Sequence, residues 1–225
     1  MNPQRLMGIM VLAITLGAPL VARAQEMNLT TLDDESVNRV HVRTGAEYGF
    51  VAGVGYARVV SVLEQRVLVN GDLTVPWAGL DSSDYRLRVG ALIPIVGSRR
   101  WRLAGTFPPT VRGTRNDVAR MLSLGADAGL TGGYFARRWF AAGELGYDWS
   151  GTTHVTNSDL YRTTIYAGAR DGWYANAGGN LRAGMQAGVS FMRYDLILRA
   201  GALRDFDGQT PLLPFYGTLT LDTRF

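Results

Sequence analysis

Cysteine is absent from the 225 residues, and so is lysine: all 23 basic residues are arginine. Without cysteine there is no disulfide, no zinc knuckle, no iron–sulfur cluster and no thiol nucleophile. Histidine is limited to His41 and His154. Two histidines so far apart give no metal-binding spacing, and no cofactor is expected. Charge of one sign is scarce as well. A formal net charge of +4, spread along the chain, argues against a dedicated nucleic-acid binder. The 28 glycines have no every-third-residue period, which excludes collagen. Gly49, Gly53 and Gly55 do not match a dinucleotide fingerprint, and no helical pattern follows them. A hydrophobic share of 47% excludes intrinsic disorder. An arginine-only basic set fits a GC-rich genome.

The first segment reads as an export signal. Arg5 is the only charge before an uncharged run from Leu6 to Val21, and Ala22-Arg23-Ala24 supplies small residues at a cleavage site. A charged start, an apolar middle and an A-x-A end define a secretory signal, so residues 1–24 are assigned to it. The run is shorter than the ~20 residues of a spanning helix. Removing Arg5 and Arg23 with the signal would lower the net charge to +2. Exported small domains usually lean on disulfides, so this cysteine-free chain needs another source of stability.

Beyond residue 38 the pattern alternates every second residue. Tyr85, Leu87, Val89, Ala91, Ile93 and Ile95 interleave with Arg86, Arg88, Gly90, Leu92 and Pro94. The same holds near Trp139, from Tyr194 to Ala202, and from Leu213 to Phe225. Strict alternation means strands with two unlike faces. Looser segments of the same kind are 45–60, 66–77, 101–108, 120–131, 159–170 and 181–192, with glycine- and aspartate-rich turns between them. About ten strands (range eight to twelve) account for residues 39–225 as one all-β domain, an up-and-down antiparallel barrel. The short connections near Gly97 and near Met192 do not both fall on one side in this count. A further strand hidden in 37–45 would shift the parity.

The unlike faces say which way the barrel is turned. One is rich in glycine, threonine and opposite charges: Arg86, Arg88, Glu144, Asp148, Arg193, Asp195, Arg199, Asp222 and Arg224. Long arginines beside glycine suit a narrow lumen, and a solvent-facing exterior would favour lysine, glutamate and serine. Aromatics gather near strand ends, among them Trp77, Tyr85, Trp101, Tyr147, Trp149 and Phe225. Aromatic girdles at two bilayer interfaces belong to transmembrane barrels.

With these features, and with a final strand Tyr216-Gly-Thr-Leu-Thr-Leu-Asp-Thr-Arg-Phe225, the chain resembles the bacterial outer-membrane β-barrel proteins. The resemblance covers residues 25–225 and identifies a class rather than one family. It implies a transmembrane barrel in the outer membrane of a Gram-negative-type bacterium, with outer-membrane lipid as its surroundings. It also implies that the strand ending in Phe225 is read by the barrel assembly machinery. Residues 25–38, acidic and aperiodic, become a flexible periplasmic lead-in. In such a chain the nine charges admit three readings: paired filling of the lumen, an anion-biased narrow pore, or a binding site. A ten-stranded barrel leaves little room inside, which favours a filled interior.

One tract points to chemistry. Thr152-Thr-His-Val-Thr-Asn-Ser-Asp159 lies between two expected strands. It is weakly similar to the His-x-Ser-Asn stretch of the outer-membrane lipid A 3-O-deacylases, where His and Ser act as base and nucleophile. That would make His154 a base for Thr156 or Ser158 in acyl transfer. The departure is that Thr156 stands where the family has serine. No glutamate follows Glu144, leaving Asp159 or Asp171 to orient the imidazole. The plain alternative is a polar turn, and for His41, in Arg39-Val-His-Val-Arg43, a polar-face strand residue. Trp173 and Tyr174, in a tract with a loop's composition, read as interfacial anchors. Three functions follow: a structural or narrow-pore outer-membrane barrel, a lipid acyl hydrolase using His154, and a soluble periplasmic barrel carrying an apolar ligand.

Overall fold

Alternation with a period of two becomes strand pairing along almost the whole chain. The computed structural model describes residues 27–47, 49–77, 83–175, 178–205 and 213–225. Twelve strands follow in chain order: β1 Asn38–Ala46, β2 Phe50–Val62, β3 Gln65–Pro76, β4 Tyr85–Gly97, β5 Trp101–Thr106 and β6 Pro109–Arg115. After them come β7 Ala119–Phe135, β8 Trp139–Asn157, β9 Gly172–Ala175, β10 Gly179–Phe191, β11 Tyr194–Asp205 and β12 Phe215–Arg224. Each pairs antiparallel with its neighbours, and β1 pairs with β12 to close a barrel of ten strand positions. β5 and β6 share one position between β4 and β7. Phe107 and Pro108 separate them and Pro109 opens β6, because proline has no N–H to continue the ladder. β9 pairs only with β8, on the part of the β7–β8 hairpin that carries the register Leu122–His154–Trp173.

The expected strand in 37–45 is β1, and it resolves the parity of the turns. The connections at Leu63-Glu64, Ser98–Arg100, Ala136–Arg138 and Met192-Arg193 all lie at one end, together with Asn38 and Phe225. Asn38 N–H donates to Phe225 O (3.1 Å) and Phe225 N–H donates to Asn38 O (3.0 Å), sealing the seam there. Gly97 and Met192 are therefore on the same side, contrary to the count without β1. At Leu63 and Glu64 both φ angles are positive (48° and 67°), the backbone of a two-residue hairpin whose twist matches the strands.

The segment 159–170 is not a strand. It forms a π-helical turn at Tyr161–Ile165 followed by an irregular loop. Ser158 starts the turn: its hydroxyl accepts from Tyr161 N–H (3.1 Å) and donates to Asp117 O (2.7 Å). The assigned signal, residues 1–24, lies outside the described residues.

The charged face points inward and the apolar face outward. On β1, Arg39, His41 and Arg43 are buried while Val40 and Val42 are exposed. On β11, Asp195, Ile197 and Arg199 are buried while Leu196 and Leu198 are exposed. The lumen is not polar throughout. Toward the short-turn end, Ala57, Leu68, Leu92, Ala104, Phe135, Phe140 and Ile197 line it, and the Phe135 and Phe140 rings stack at 5.3 Å. Where the sequence suggests a flexible lead-in, Leu29–Asp33 is a 3-10 turn started by Asn28, and Met27, Leu29 and Leu32 are buried in that apolar patch. Burial of three large side chains, each worth about 1.5–3 kcal/mol, is the physical reason the segment is held.

Candidate functional site

Charged groups converge in the lumen, which is built in three tiers. At the short-turn end three arginines clamp the N-terminal turn. Arg39 on β1 donates to Asp222 on β12, to the Thr31 hydroxyl, and to Asp195 on β11 at 3.4 Å. Arg102 on β5 donates to Leu29 O (2.8 Å) and to Asp33 (2.7 Å). Arg224 on β12 reaches Asp34 at 2.5 Å and Met192 O at 2.8 Å. From the turn itself, Asn28 Nδ2 donates to Ala136 O (2.7 Å) and Ser190 Oγ (3.0 Å). The segment is thus tied to five parts of the barrel at once: β1, β5, β12, the β7–β8 turn and β10.

The middle tier is a set of arginine–carboxylate pairs. Arg43 on β1 meets Asp72 on β3 at 2.6 Å, and Arg88 on β4 donates to Glu47 just past β1. Arg182 on β10 forms two contacts of 2.7 Å with Asp127 on β7. Arg199 Nε lies 2.7 Å from both Glu144 oxygens, and its guanidinium sits 5.1 Å over the Tyr216 ring, whose hydroxyl donates to Glu144. Buried arginines are tolerated only when opposite charge and hydrogen bonds offset lost hydration, and Arg's planar fork suits that pairing.

Glycine supplies the space these side chains need. A Cβ on Gly146 would lie 2.5 Å from Arg182 Cζ, and one on Gly55 would lie 2.3 Å from the His41 ring. At Gly184 it would meet the Tyr216 hydroxyl at 2.1 Å.

The upper tier is a cavity of about 550 Å³ on the long-loop side. Arg86, paired with Asp148, lines it together with Thr110, Arg112, Asn180 and Asp205. Its lining is polar, and the apolar part of the lumen is filled by the chain's own Met27, Leu29 and Leu32.

Of the charges assigned to the lumen, Arg88, Glu144, Asp195, Arg199, Asp222 and Arg224 are buried in it, and Arg86 and Asp148 line its upper cavity. Arg193 is the exception. It is exposed in the β10–β11 turn, because the alternation of β11 reads on one residue ahead of the strand's start. Sequence reasoning missed Arg43, Glu47, Asp72, Asp127, Arg182 and Tyr216. The Arg39-x-His41-x-Arg43 alternation was the available signal for β1; for the rest, no local spacing names the partner. The aromatics sit outward, most of them near strand ends and Tyr147 and Trp149 within β8. Trp77, Tyr85 and Trp149 are on the long-loop side with Tyr147 two residues below, and Trp101 and Phe225 are at the short-turn end.

The His154 tract is assembled differently from a catalytic pair. His154 and Trp173 rings meet edge to face at 5.1 Å, and Ser158 is engaged by backbone groups. Among the described residues no hydrogen bond joins His154 to Thr156 or Ser158. Asp171 pins the loop instead, accepting from Asn157 N–H (2.8 Å) and Arg162 (2.6 Å). These bonds, Asn157 N–H foremost, pull the Asp171 carboxyl down to about 2. Arg162 is correspondingly raised by its hydrogen bond to Asp171. Trp173 and Tyr174 are exposed on β9. Among the described residues no group of three or more His, Asp or Glu could hold a metal ion. No model of a known protein family matches the chain, and a search of curated proteins finds no match.

Proposed function

We propose that this chain is an integral outer-membrane β-barrel of structural type, closed by its paired lumen charges and its own N-terminal turn. The observation that carries the reading is the inverted distribution of side chains. Leu145, Met185 and Leu198 are more than half exposed, while Arg39, Asp127 and Asp222 are fully buried. In water that arrangement leaves a continuous apolar exterior, which monomeric soluble proteins avoid. In a bilayer it is the ordinary arrangement of a spanning barrel.

Dimensions support it. Trp139 and Trp149 lie on one strand ten residues apart, as do Phe215 and the terminal Phe225 of the last. Ten residues rise about 34 Å along a strand, and a tilt of about 40° brings that to about 26 Å across the membrane, close to the apolar band of such barrels. The short turns, with Asn38 and Phe225, then face the periplasm, and the π-helical loop faces outward from the cell.

A structural role is favoured over a pore because the lower and middle tiers of the lumen are filled, most closely where Phe135 and Phe140 pack with the N-terminal turn. The test is fractionation followed by planar-bilayer recording. The protein is expected in the outer-membrane fraction, with heat-modifiable gel migration and no conductance steps. Recovery in the soluble fraction, or regular conductance steps, would overturn the corresponding half of the reading.

A further inference from the structure

Two adjacent turns at the short-turn end carry four arginines: Arg99 and Arg100 between β4 and β5, and Arg137 and Arg138 between β7 and β8. All four are exposed, and none belongs to an ion pair among the described residues. This differs from the lumen, where Arg39, Arg43, Arg88, Arg182 and Arg199 each face a carboxylate. Neither turn contains an acidic residue. Of the four hairpin turns described at this end, only the β2–β3 connection carries a carboxylate, Glu64, and Asp33 of the N-terminal turn is engaged by Arg102.

The arginines stand on a fixed base. Phe135 N–H donates to Arg100 O (2.7 Å), which ties one turn to the end of β7, and Ser190 N–H donates to Arg138 O (2.8 Å), which ties the other to β10. Directly beside them is an outward aromatic cluster. Trp101 meets Tyr134 edge to face at 5.7 Å, and Tyr134 stacks on Trp139 at 5.2 Å. Arg100 joins the two features: Nη1 donates to the Tyr134 hydroxyl (2.7 Å), and the guanidinium lies 5.8 Å from the ring centroid. Further along the exterior the wall is open at Gly143, where an added Cβ would meet nothing nearer than backbone oxygens at 4.0 Å, while the Leu103 side chain covers its cross-strand partner Gly132.

We propose that these two turns and the Trp101–Tyr134–Trp139 cluster form a binding site for one class of lipid, the anionic glycerophospholipids. The inference rests on the membrane reading above. The arginines take the phosphodiester, for which the guanidinium fork is matched in shape and charge. The three rings hold the glycerol and carbonyl level, where amphipathic aromatics prefer to sit. One acyl chain lies along the wall over Gly143. Charge complementarity selects the occupant: unpaired cations at an interface attract anionic headgroups, each contributing severalfold in affinity, whereas a zwitterionic headgroup brings no net charge to them.

The experiment uses the full chain reconstituted in vesicles in which phosphatidylglycerol is the minor lipid in a phosphatidylcholine background. After mild extraction, the lipids that remain bound are identified by native mass spectrometry. The wild type is expected to retain phosphatidylglycerol above its share of the vesicle. The variant R99Q/R100Q/R137Q/R138Q is expected to lose that preference by about tenfold or more, while R115Q/R120Q at the opposite end keeps it. Heat-modifiable migration reports insertion separately. A wild type that inserts but retains the two lipids in proportion to the mixture overturns the site, whatever the variants do. So does a quadruple variant that inserts and keeps the full preference. A wild type that fails to insert overturns the membrane reading instead.

Discussion

Arg182 and Asp127 are joined by two contacts of 2.7 Å across the bare backbone of Gly146, on the strand that separates them. The pair belongs to β10 and β7, and β8 runs between. Only a residue without a side chain leaves room at that point for a guanidinium to pass. The relationship repeats with other partners through the lumen and stands in for the disulfides the chain lacks.

Breaking that pair should cost more than removing it. Asp127 is fully buried, so Asp127→Ala leaves Arg182 charged and uncompensated, and a loss of about 3–5 kcal/mol is expected. Replacing both, as D127L/R182M, should restore most of it. Urea unfolding of the vesicle-inserted protein, followed by heat-modifiable migration, measures both variants. Equal losses in the two would contradict an uncompensated charge as the cause.

The N-terminal turn is expected to be a docked element that can be released. Because the natural chain has no cysteine, Leu29→Cys is a unique probe at a position 2% exposed. Maleimide labelling should be slow in that background. Adding Arg102→Ala and Arg224→Ala, which deletes two of the three arginine clamps, should speed it by about tenfold or more, as local opening becomes easier. Fast labelling with all three clamps intact would show that the turn is not held.

The loop held by Asp171 is expected to have a pH dependence whose sign follows from its lowered carboxyl. Asp171 is held at about 2, below its ordinary 3.8. A carboxyl depressed in the folded state contributes stability above its unfolded pKa and loses that contribution as pH falls through the folded one. The Asp171 contacts with Asn157 and Arg162 should therefore persist below pH 3.8 and open only near pH 2. Carbon-detected NMR titration of the Asp171 carboxyl checks this, and a midpoint at the ordinary value would contradict it.

Much of the barrel was legible because strand alternation assigns faces without tertiary information. Val40 and Val42 against Arg39 and Arg43, or Leu196 and Leu198 against Asp195 and Arg199, declare inside and outside unaided. Alternation does not name partners. Arg43 finds Asp72, and Arg182 finds Asp127, only after strand order and stagger are set by closure of the whole sheet. Nor does it see a short plug. Met27, Leu29 and Leu32 have neither period, yet the apolar lower lumen leaves a space they fill. Residues 159–170 misled for the opposite reason, their mixed composition imitating a strand although Ser158 starts a π-helical turn. At the His154 tract, a short motif brought residue types near one another in sequence, while the fold turned Ser158 to the backbone and set His154 against Trp173.

Outward-facing positions should punish charge by depth. Leu198, midway along β11 and 60% exposed, should lose about 2–4 kcal/mol of stability in a bilayer when changed to Arg. An arginine at Phe225, at the rim, should cost about 1 kcal/mol or less. Unfolding titrations in vesicles give the difference, and similar costs at the two depths would contradict an apolar band between them.

The central claim, a barrel with lipid outside and paired charges within, is tested most directly by a single-cysteine scan of Tyr194–Asp205 in reconstituted vesicles. Each cysteine carries a spin label, and its collisions with oxygen, which concentrates in lipid, are compared with those of a water-soluble nickel complex. Labels at 196, 198 and 200 are expected to meet oxygen and exclude nickel, while those at 195, 197 and 199 are shielded from both. Nickel access at 196, 198 and 200 would mean that the apolar face is in water, and the account would be wrong.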